Sequence, residues 1–265
     1  MATIAVQMDP IADINIAGDS TFALLLEASR RGHTLLHTTP DRLTFEDGTV
    51  SSRMEPLTVR DEAGNHATLG SSELRPLSEV DVVLLRQDPP FDMAYVTSTH
   101  ILELADTLVV NDPRGVRNAP EKLFVLEFGD LMPPTLISRD REAIKAFRAE
   151  HGDIVVKPLY GNGGAAVFKL AADDPNVNAL LDLFDTVFRE PAMVQRFLPK
   201  VSEGDKRIIL IDGEFAGAVN RVPPKGEIRS NMVQGGAASA TELSPREREI
   251  CERVGPHLKE KGLVF

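Results

Sequence analysis

The chain has 265 residues, with 29 Lys and Arg against 40 Asp and Glu and a formal net charge of −11. That length suits one large domain or two to three small ones, and the charge excludes the broad basic face of a nucleic-acid binder while leaving room for a local basic pocket. A single cysteine, Cys251, rules out an internal disulfide, no run approaches the roughly 20 apolar residues of a membrane span, and the opening MATIAVQMDP lacks the features of a signal peptide, so the expectation is a soluble cytoplasmic protein.

TIAVQM (3–8) is short, apolar and β-branched, hence a strand, and a loop follows it. STFALLLEASRRGH then carries Phe22, Leu25, Leu26 and Ser29 at helical spacing, with Asp19 or Ser20 to cap it and Gly32 to end it. TLLHTTP is a second strand, so the chain opens as half of a doubly wound α/β domain. Residues 43–70 differ: RLTFEDGTVSS has an Asp-Gly turn between short alternating runs, a hairpin signal. VDVVLLRQDPP (80–90) is a buried-type strand ending in Arg86, Asp88 and a double proline. A helix near 94–105 and the strand TLVVND (107–112) complete a first domain.

A boundary falls near DPRGVRNAPEK, which is rich in Pro, Gly and Arg. Beyond it come a short helix holding Lys122, the strand PTLIS, the helix DREAIKAFRAEHG and two strands within DIVVKPLYGNGGAAVFKL. The helix DPNVNALLDLFDTVF, the strand PAMVQRFL and the hairpin DKRIILIDGEFAGAVNRV follow, the last turning on Asp-Gly. PPKGEIRSNMVQGGAAS is a polar Gly/Pro-rich loop, and Ser244 caps a last helix, PREREICERVGPHLKEKG. The closing GLVF reads as the start of a buried strand.

The stretch 153–170 places Lys157 at the end of a core strand and then a glycine-rich turn. A P-loop would set its lysine after the glycines, not before them. GNGGAA formally fits the dinucleotide fingerprint, but that motif must open a helix, and Val167-Phe168 favours a strand that soon meets Asp-Asp-Pro. What remains is a hairpin whose turn offers backbone N–H groups to an anion, with Lys157 beside it, or a plain glycine-rich turn. Other candidates have ordinary readings too. Lys122 on a short helix is usually solvated. Arg86 with Asp88 makes an ion pair at a strand end, and Arg207 with Lys206 a surface face. Asp205 can simply start a strand, and the six histidines show no metal-ligand spacing.

Taken in order, MDPIADINIAGDSTFALLLEASRRG, LLRQDPPFD, NAPEKLF, KPLYGNGGAAVF, QRFLP, EGDKRIILIDGE, NRVPPKGEIRSN and GPHLKEKGLVF resemble the bacterial-type glutathione synthetases of the ATP-grasp ligase family over nearly the whole chain. The resemblance implies an α/β fold, α+β in its ATP-binding part. A Rossmann-like domain (1–117) would precede an ATP-grasp lid subdomain (118–198) and an ATP-grasp C-terminal subdomain (199–265). It implies ATP-dependent joining of γ-glutamylcysteine to glycine through an acyl phosphate, giving glutathione, ADP and phosphate, with Mg²⁺, or Mn²⁺ in its place. It also implies a homo-oligomer, tetramer or dimer. Lys122 and Lys157 would hold the ATP phosphates under a turn of Gly161, Asn162, Gly163 and Gly164. Gln195, Arg196, Phe197 and Leu198 would read the adenine edge, with Asp205 at ribose or substrate. Arg207 and Arg221 would face the acyl phosphate. Asn15, Arg86, Asp88, Arg229, Asn231, Gly235 and Gly236 would line the substrate side, and 223–240 would form a lid. The chain departs from the family at Tyr160, where an acidic residue is usual, and at Asn162, where Met is common, so Tyr160 receives no side-chain role. The family's metal-binding strands lie past the stretch that matches 255–265, so the catalytic metal ligands are expected outside this chain and no residue is assigned to a metal. The competing readings are another ATP-grasp carboxylate–amine ligase on the same scaffold and a truncated, non-catalytic ATP-binding module.

Overall fold

The computed structural model describes residues 1–161, 163–224 and 237–265, and the chain divides into two compact units, one of residues 1–118 with 260–264 and one of 119–259 with Phe265.

The first unit contains β1 (Thr3–Gln7), α1 (Ser20–Arg30), β2 (Thr34–Thr38), β3 (Leu43–Glu46), β4 (Thr49–Val59), β5 (Ala67–Leu69), β6 (Glu73–Pro76), β7 (Val82–Leu85), α2 (Met93–Leu102), β8 (Leu108–Val110) and α3 (Pro113–Asn118). The sheet runs β3-β4-β2-β1-β7-β8, and β5 and β6 also pair with β4. β2, β1, β7 and β8 are parallel, and the remaining strands extend the sheet antiparallel through β4. Alternation along β1 decides which helix covers which face. Ile4, Val6 and Met8 pack with Phe22 and Leu25 of α1, whereas Ala5 packs with Val83, Leu85 and Leu102 of α2. Burying Phe22 and Leu25 contributes about 1.5–3 kcal/mol each. Asp19 caps α1 by accepting from the Phe22 N–H at 2.7 Å, and Asp92 caps α2 by accepting from the Tyr95 N–H at 2.9 Å. Because β2 and β7 flank β1 on opposite sides, the carboxyl ends of β1 and β7 form the topological switch point where open α/β sheets bind ligands.

The second unit opens with α4 (Glu121–Phe124) and a 3-10 stretch (Val125–Leu131). It continues through β9 (Thr135–Ser138), α5 (Arg141–His151), β10 (Ile154–Pro158), β11 (Phe168–Leu170), α6 (Val177–Val187) and β12 (Ala192–Arg196), an antiparallel sheet in the order β11-β10-β12-β9. Ile154, Val156 and Val194 point to the face covered by Ile144 of α5 and by Leu180, Leu181 and Phe184 of α6. Val155, Lys157 and Gln195 therefore point to the other face. A second sheet holds β13 (Asp205–Ile211), β14 (Glu214–Val222) and β15 (Ala237–Ala240), and α7 (Pro245–Glu260) follows. Asp212 and Gly213 both have positive φ, 50° and 80°, as a two-residue hairpin turn requires. Ser244 and Glu247 cap α7 reciprocally, with Ser244 N–H donating to Glu247 Oε2 at 2.6 Å and Glu247 N–H donating to Ser244 Oγ at 3.3 Å.

Two expectations need correction. Residues 237–240 form a strand on β14, not part of a loop; the run Ala-Ala-Ser-Ala has no alternation to announce it, and it is pairing with 219–222 that makes it one. The closing residues are not assigned as a strand. Instead the Asp112 N–H donates to the Gly262 carbonyl at 3.0 Å, and the Val264 N–H donates to Asn111 Oδ1 at 2.8 Å, so this segment lies along the end of β8.

α7 packs on the β13–β14 turn through two glycines: a Cβ on Gly255 would stand 2.2 Å from the Gly213 carbonyl oxygen. Glycine in a helix interior is usually about 1 kcal/mol worse than alanine, but here backbone stands in the way. Gly255→Ala is expected to destabilise the protein by about 2 kcal/mol or more in urea unfolding, the opposite sign from propensity. Gly217→Ala, with nothing within 4 Å of its added Cβ, is expected to stay within about 0.5 kcal/mol.

Candidate nucleotide and substrate sites

In the second unit a cavity of about 330 Å³ opens on the sheet face away from α5 and α6. Its side wall comes from Val155 and Lys157 of β10 with Val167, its end from Gln195 to Leu198, and its rim from Pro133, Val201 and Asp205. Lys157 stands here because of the two-residue alternation that buries Ile154 and Val156 behind the sheet. Its ammonium pKa is pushed down, first by burial and then by the charge of Lys122, with Glu121 opposing. Lys122 reaches across from α4, its Nζ donating to the carbonyls of Gly161 at 2.5 Å and Leu159 at 3.3 Å. Two cations so placed, one largely out of water, favour a polyanion.

The turn after β10 explains its glycines. A Cβ on Gly161 would come within 2.7 Å of Pro158 Cγ. Gly163 and Gly164 have φ of 59° and 79°, in the left-handed region that glycine enters freely. Asn162 lies outside the described residues. At the cavity end, Phe197 N–H donates to the Asp153 carbonyl at 2.8 Å, and the Lys169 ammonium sits 4.1 Å from the centre of the Phe197 ring.

Asp205 and Arg221 face each other across β13 and β14 and form a bidentate pair, Nε to Oδ1 at 2.9 Å and Nη2 to Oδ2 at 2.7 Å. Arg207, two residues along β13, is exposed and shares their face. The opposite face carries Lys206, paired with Glu247 of α7 at 2.7 Å, so α7 leaves the arginine face uncovered.

In the first unit, Arg86 follows β7 at the switch point. Its Nε donates to Thr21 Oγ1 at 2.9 Å and its Nη2 to Ser20 Oγ at 3.0 Å, both hydroxyls in the first turn of α1. Burial pulls the guanidinium pKa down, opposed by Asp19 and Asp88. The Asp88 N–H donates to Asp9 Oδ2 at 3.0 Å, and the Asp88 carboxyl is pushed up by desolvation and then by Asp9 and Asp19. Asn15 is exposed in the loop after β1, its Oδ1 accepting from the Ala17 N–H at 3.2 Å.

Of the expected nucleotide positions, Lys157, Gln195 to Leu198 and Asp205 line one cavity in the second unit, while Gly161 lines a separate pocket with Leu159 and Tyr160; Asn15, Arg86 and Asp88 lie in the loops that follow β1 and β7 in the first. Arg229, Asn231, Gly235 and Gly236 lie outside the described residues, as does the lid's 225–236. Pro133, Val155, Val167 and Val201 in the cavity wall, and Asp9, Ser20 and Thr21 around Arg86, were not assigned to a site from sequence. Period-2 counting back from Lys157 would have found Val155; the others depend on strand register and loop closure. Among the described residues no group of three His, Cys, Asp or Glu could hold a metal ion, and the one carboxylate of the cavity rim, Asp205, is engaged by Arg221. The described residues do not make a metal site.

The models of the prokaryotic glutathione synthetase N-terminal and ATP-grasp domains match residues 2–117 and 121–265. The glutathione synthetase of Rhodopseudomonas palustris is 63% identical over 264 residues, covering 99% of this chain and 84% of that one. That of Yersinia pestis is 42% identical, covering 100% and 84%. Among solved structures, a D-cycloserine synthetase superposes with a TM-score of 0.66 at 17% identity, covering 98% of this chain and 82% of the other. The ATP-grasp ligase PsnB, complexed with a minimal precursor, Mg and ADP, gives 0.57 at 20% identity, covering 99% and 81%. These two likenesses are of fold.

The depressed Lys157 pKa has a thermodynamic consequence. The unfolded chain binds this proton more tightly than the folded one, so the charged lysine costs stability at neutral pH. That cost fades as pH rises through the folded pKa toward the unperturbed value of about 10.4. Lys157→Met is expected to raise the melting temperature of the nucleotide-free protein at pH 7, and the gain should shrink as pH approaches 10.

Proposed function

The chain belongs to the prokaryotic glutathione synthetase family, and from that premise we propose how its residues carry out ATP-dependent ligation of γ-glutamylcysteine and glycine. The observation that carries the reading is the cavity of the second unit that Lys157 shares with the Gln195–Leu198 wall, with the Lys122 ammonium near enough to lower the Lys157 pKa. We assign 1–117 to the dipeptide, and 118–198 and 199–265 to the two halves of the ATP-grasp part.

A carboxylate resists attack by an amine until its oxygen becomes a leaving group. ATP therefore phosphorylates the cysteinyl carboxylate, the glycine amine attacks the acyl phosphate, and phosphate departs from the tetrahedral intermediate. Phosphoryl transfer asks for charge neutralisation and in-line placement rather than covalent help. In this reading Lys157 and Lys122 neutralise the phosphates. Lys122 already bonds the Leu159 and Gly161 carbonyls, and so it links the phosphates to the turn above them. Gly163 and Gly164 continue that turn, and Asn162 is assigned to the phosphates with them. Arg207 and Arg221 present guanidinium N–H groups to the oxyanions, and the bidentate Asp205 contact keeps Arg221 flat along the sheet. Asp205, which lines the cavity, is assigned to the ribose.

Arg86, with Asn15, binds the anionic end of the dipeptide, and the Asp88–Asp9–Asp19 carboxylates suit its amino group. Arg229, Asn231, Gly235 and Gly236 are assigned to the same substrates. Mg²⁺, or Mn²⁺ in its place, would accompany the nucleotide and supply further neutralisation of phosphate charge. Cys251, as the only cysteine, suits a reducing cytoplasm. We also take the protein to be a homo-oligomer, dimer or tetramer, which sedimentation will show directly.

Phosphate release from MgATP is expected only when γ-glutamylcysteine and glycine are both present; release with a different carboxylate or amine would overturn the substrate and leave the scaffold. Lys157→Met should lower kcat/KM for ATP by about 100-fold or more. Arg86→Ala should instead raise the KM for the dipeptide about tenfold or more with little change in the KM for ATP.

A further inference from the structure

Taking the cavity as the adenine site of the preceding reading, its apolar walls cannot tell one purine from another. Val155, Val167 and Val201 would sandwich any base. Discrimination needs a hydrogen-bonding group of fixed polarity.

Such a group stands on adjacent strands. Thr135 of β9 and Gln195 of β12 are directly opposed in antiparallel register, so their side chains leave the sheet on one face, together with Val155 opposite Gln195 on its other side. Gln195 Nε2 lies 2.9 Å from Thr135 Oγ1, and Thr135 Oγ1 lies 2.8 Å from the Pro133 carbonyl. Proton counting sets the direction of both bonds. A backbone carbonyl can only accept, so the single hydroxyl proton of Thr135 goes to Pro133. The hydroxyl must then accept from Gln195, and the atom of Gln195 beside it must be the amide nitrogen. A flipped amide would set Oε1 against the hydroxyl lone pairs. Gln195 lines the cavity, and Oε1 is its only acceptor. Leu198, on the same end wall, adds a backbone N–H that has no hydrogen-bond partner among the described residues.

We propose that the Pro133–Thr135–Gln195 relay sets the nucleotide's base selectivity, with Thr135 as a positioning residue that holds Gln195 Oε1 ready to accept from the exocyclic amino group of a 6-aminopurine. An acceptor at Oε1 and a donor at Leu198 N–H match the amino group and ring nitrogen of adenine. The 6-oxo group and protonated ring nitrogen of guanine present the reverse pattern at both points. Removing the Thr135 hydroxyl frees the amide to rotate and offer its nitrogen to a 6-oxo group instead.

The test is the dissociation constants of ATP and GTP for the full chain, by calorimetry without other substrates, followed by KM and kcat for each nucleotide. Wild type is expected to prefer ATP. Thr135→Val, which keeps the shape and removes the hydroxyl, should reduce the ATP-to-GTP preference on the order of tenfold, mainly through tighter GTP and weaker ATP and with kcat for ATP little changed. Thr135→Ser should restore the preference. Gln195→Leu should lose it, and Gln195→Glu, which keeps an acceptor, should retain it; these two decide the matter if Thr135→Val does not fold. A folded Thr135→Val or Gln195→Leu with the wild-type preference overturns the relay. Wild type binding ATP and GTP alike overturns the relay while the nucleotide site stands. Wild type binding neither overturns the nucleotide reading and the relay with it.

Discussion

A lysine ammonium drawn largely out of water is the constraint on which the second unit depends. Lys157 occupies a strand whose neighbouring residues, Ile154 and Val156, are fully buried against α5 and α6. Its own side of the sheet is lined by the cavity, and a second lysine adds like charge. An arrangement that penalises the free protein is sensible only if the cost is recovered when an anion arrives. Phosphates meet that condition, since they bring several negative charges to a place where low polarity strengthens every contact.

The strands supply the rigidity this needs. β10, flanked by β11 and β12, fixes Lys157 relative to Gln195, and β12 carries the chain from the sheet into the cavity's end wall at Arg196. β9 then sets Thr135 opposite Gln195. Four strands of a small sheet thus set the relative positions of Lys157, Gln195 and Thr135. In the first unit the same economy appears in another form: parallel strands end together at the switch point, so Arg86 after β7 and the loop after β1 meet beside the start of α1.

Much of this was legible in the sequence. Asp19 before a helical run, Asp-Gly between alternating runs at 47–48 and 212–213, and Ser244 three residues ahead of Glu247 each announce local structure, because each acts through bonds within a few residues. The strands β1, β2, β7 and β10 were visible as apolar runs. The ordered motifs also pointed to the family that the comparisons show. Strands β5, β6 and β15 were not visible. They are short, and each is held by pairing with the edge that β4 or β14 offers.

The sequence by itself determined the chemistry on offer: which cations, which glycine turn, and the net acidity that makes a local basic pocket conspicuous. Tertiary structure alone decided polarity and partnership. That the Gln195 amide nitrogen donates to a threonine hydroxyl follows from a strand pairing with Thr135, 60 residues away in the chain. Which charge steadies Arg221 follows from the register that brings Asp205 opposite it. Whether Lys122 is a solvated surface lysine or a tie to the glycine turn follows from the carbonyls of Leu159 and Gly161. The reason is common to all three. A hydrogen bond or ion pair is set by distance and direction between groups far apart in sequence, and only the closed sheet fixes those.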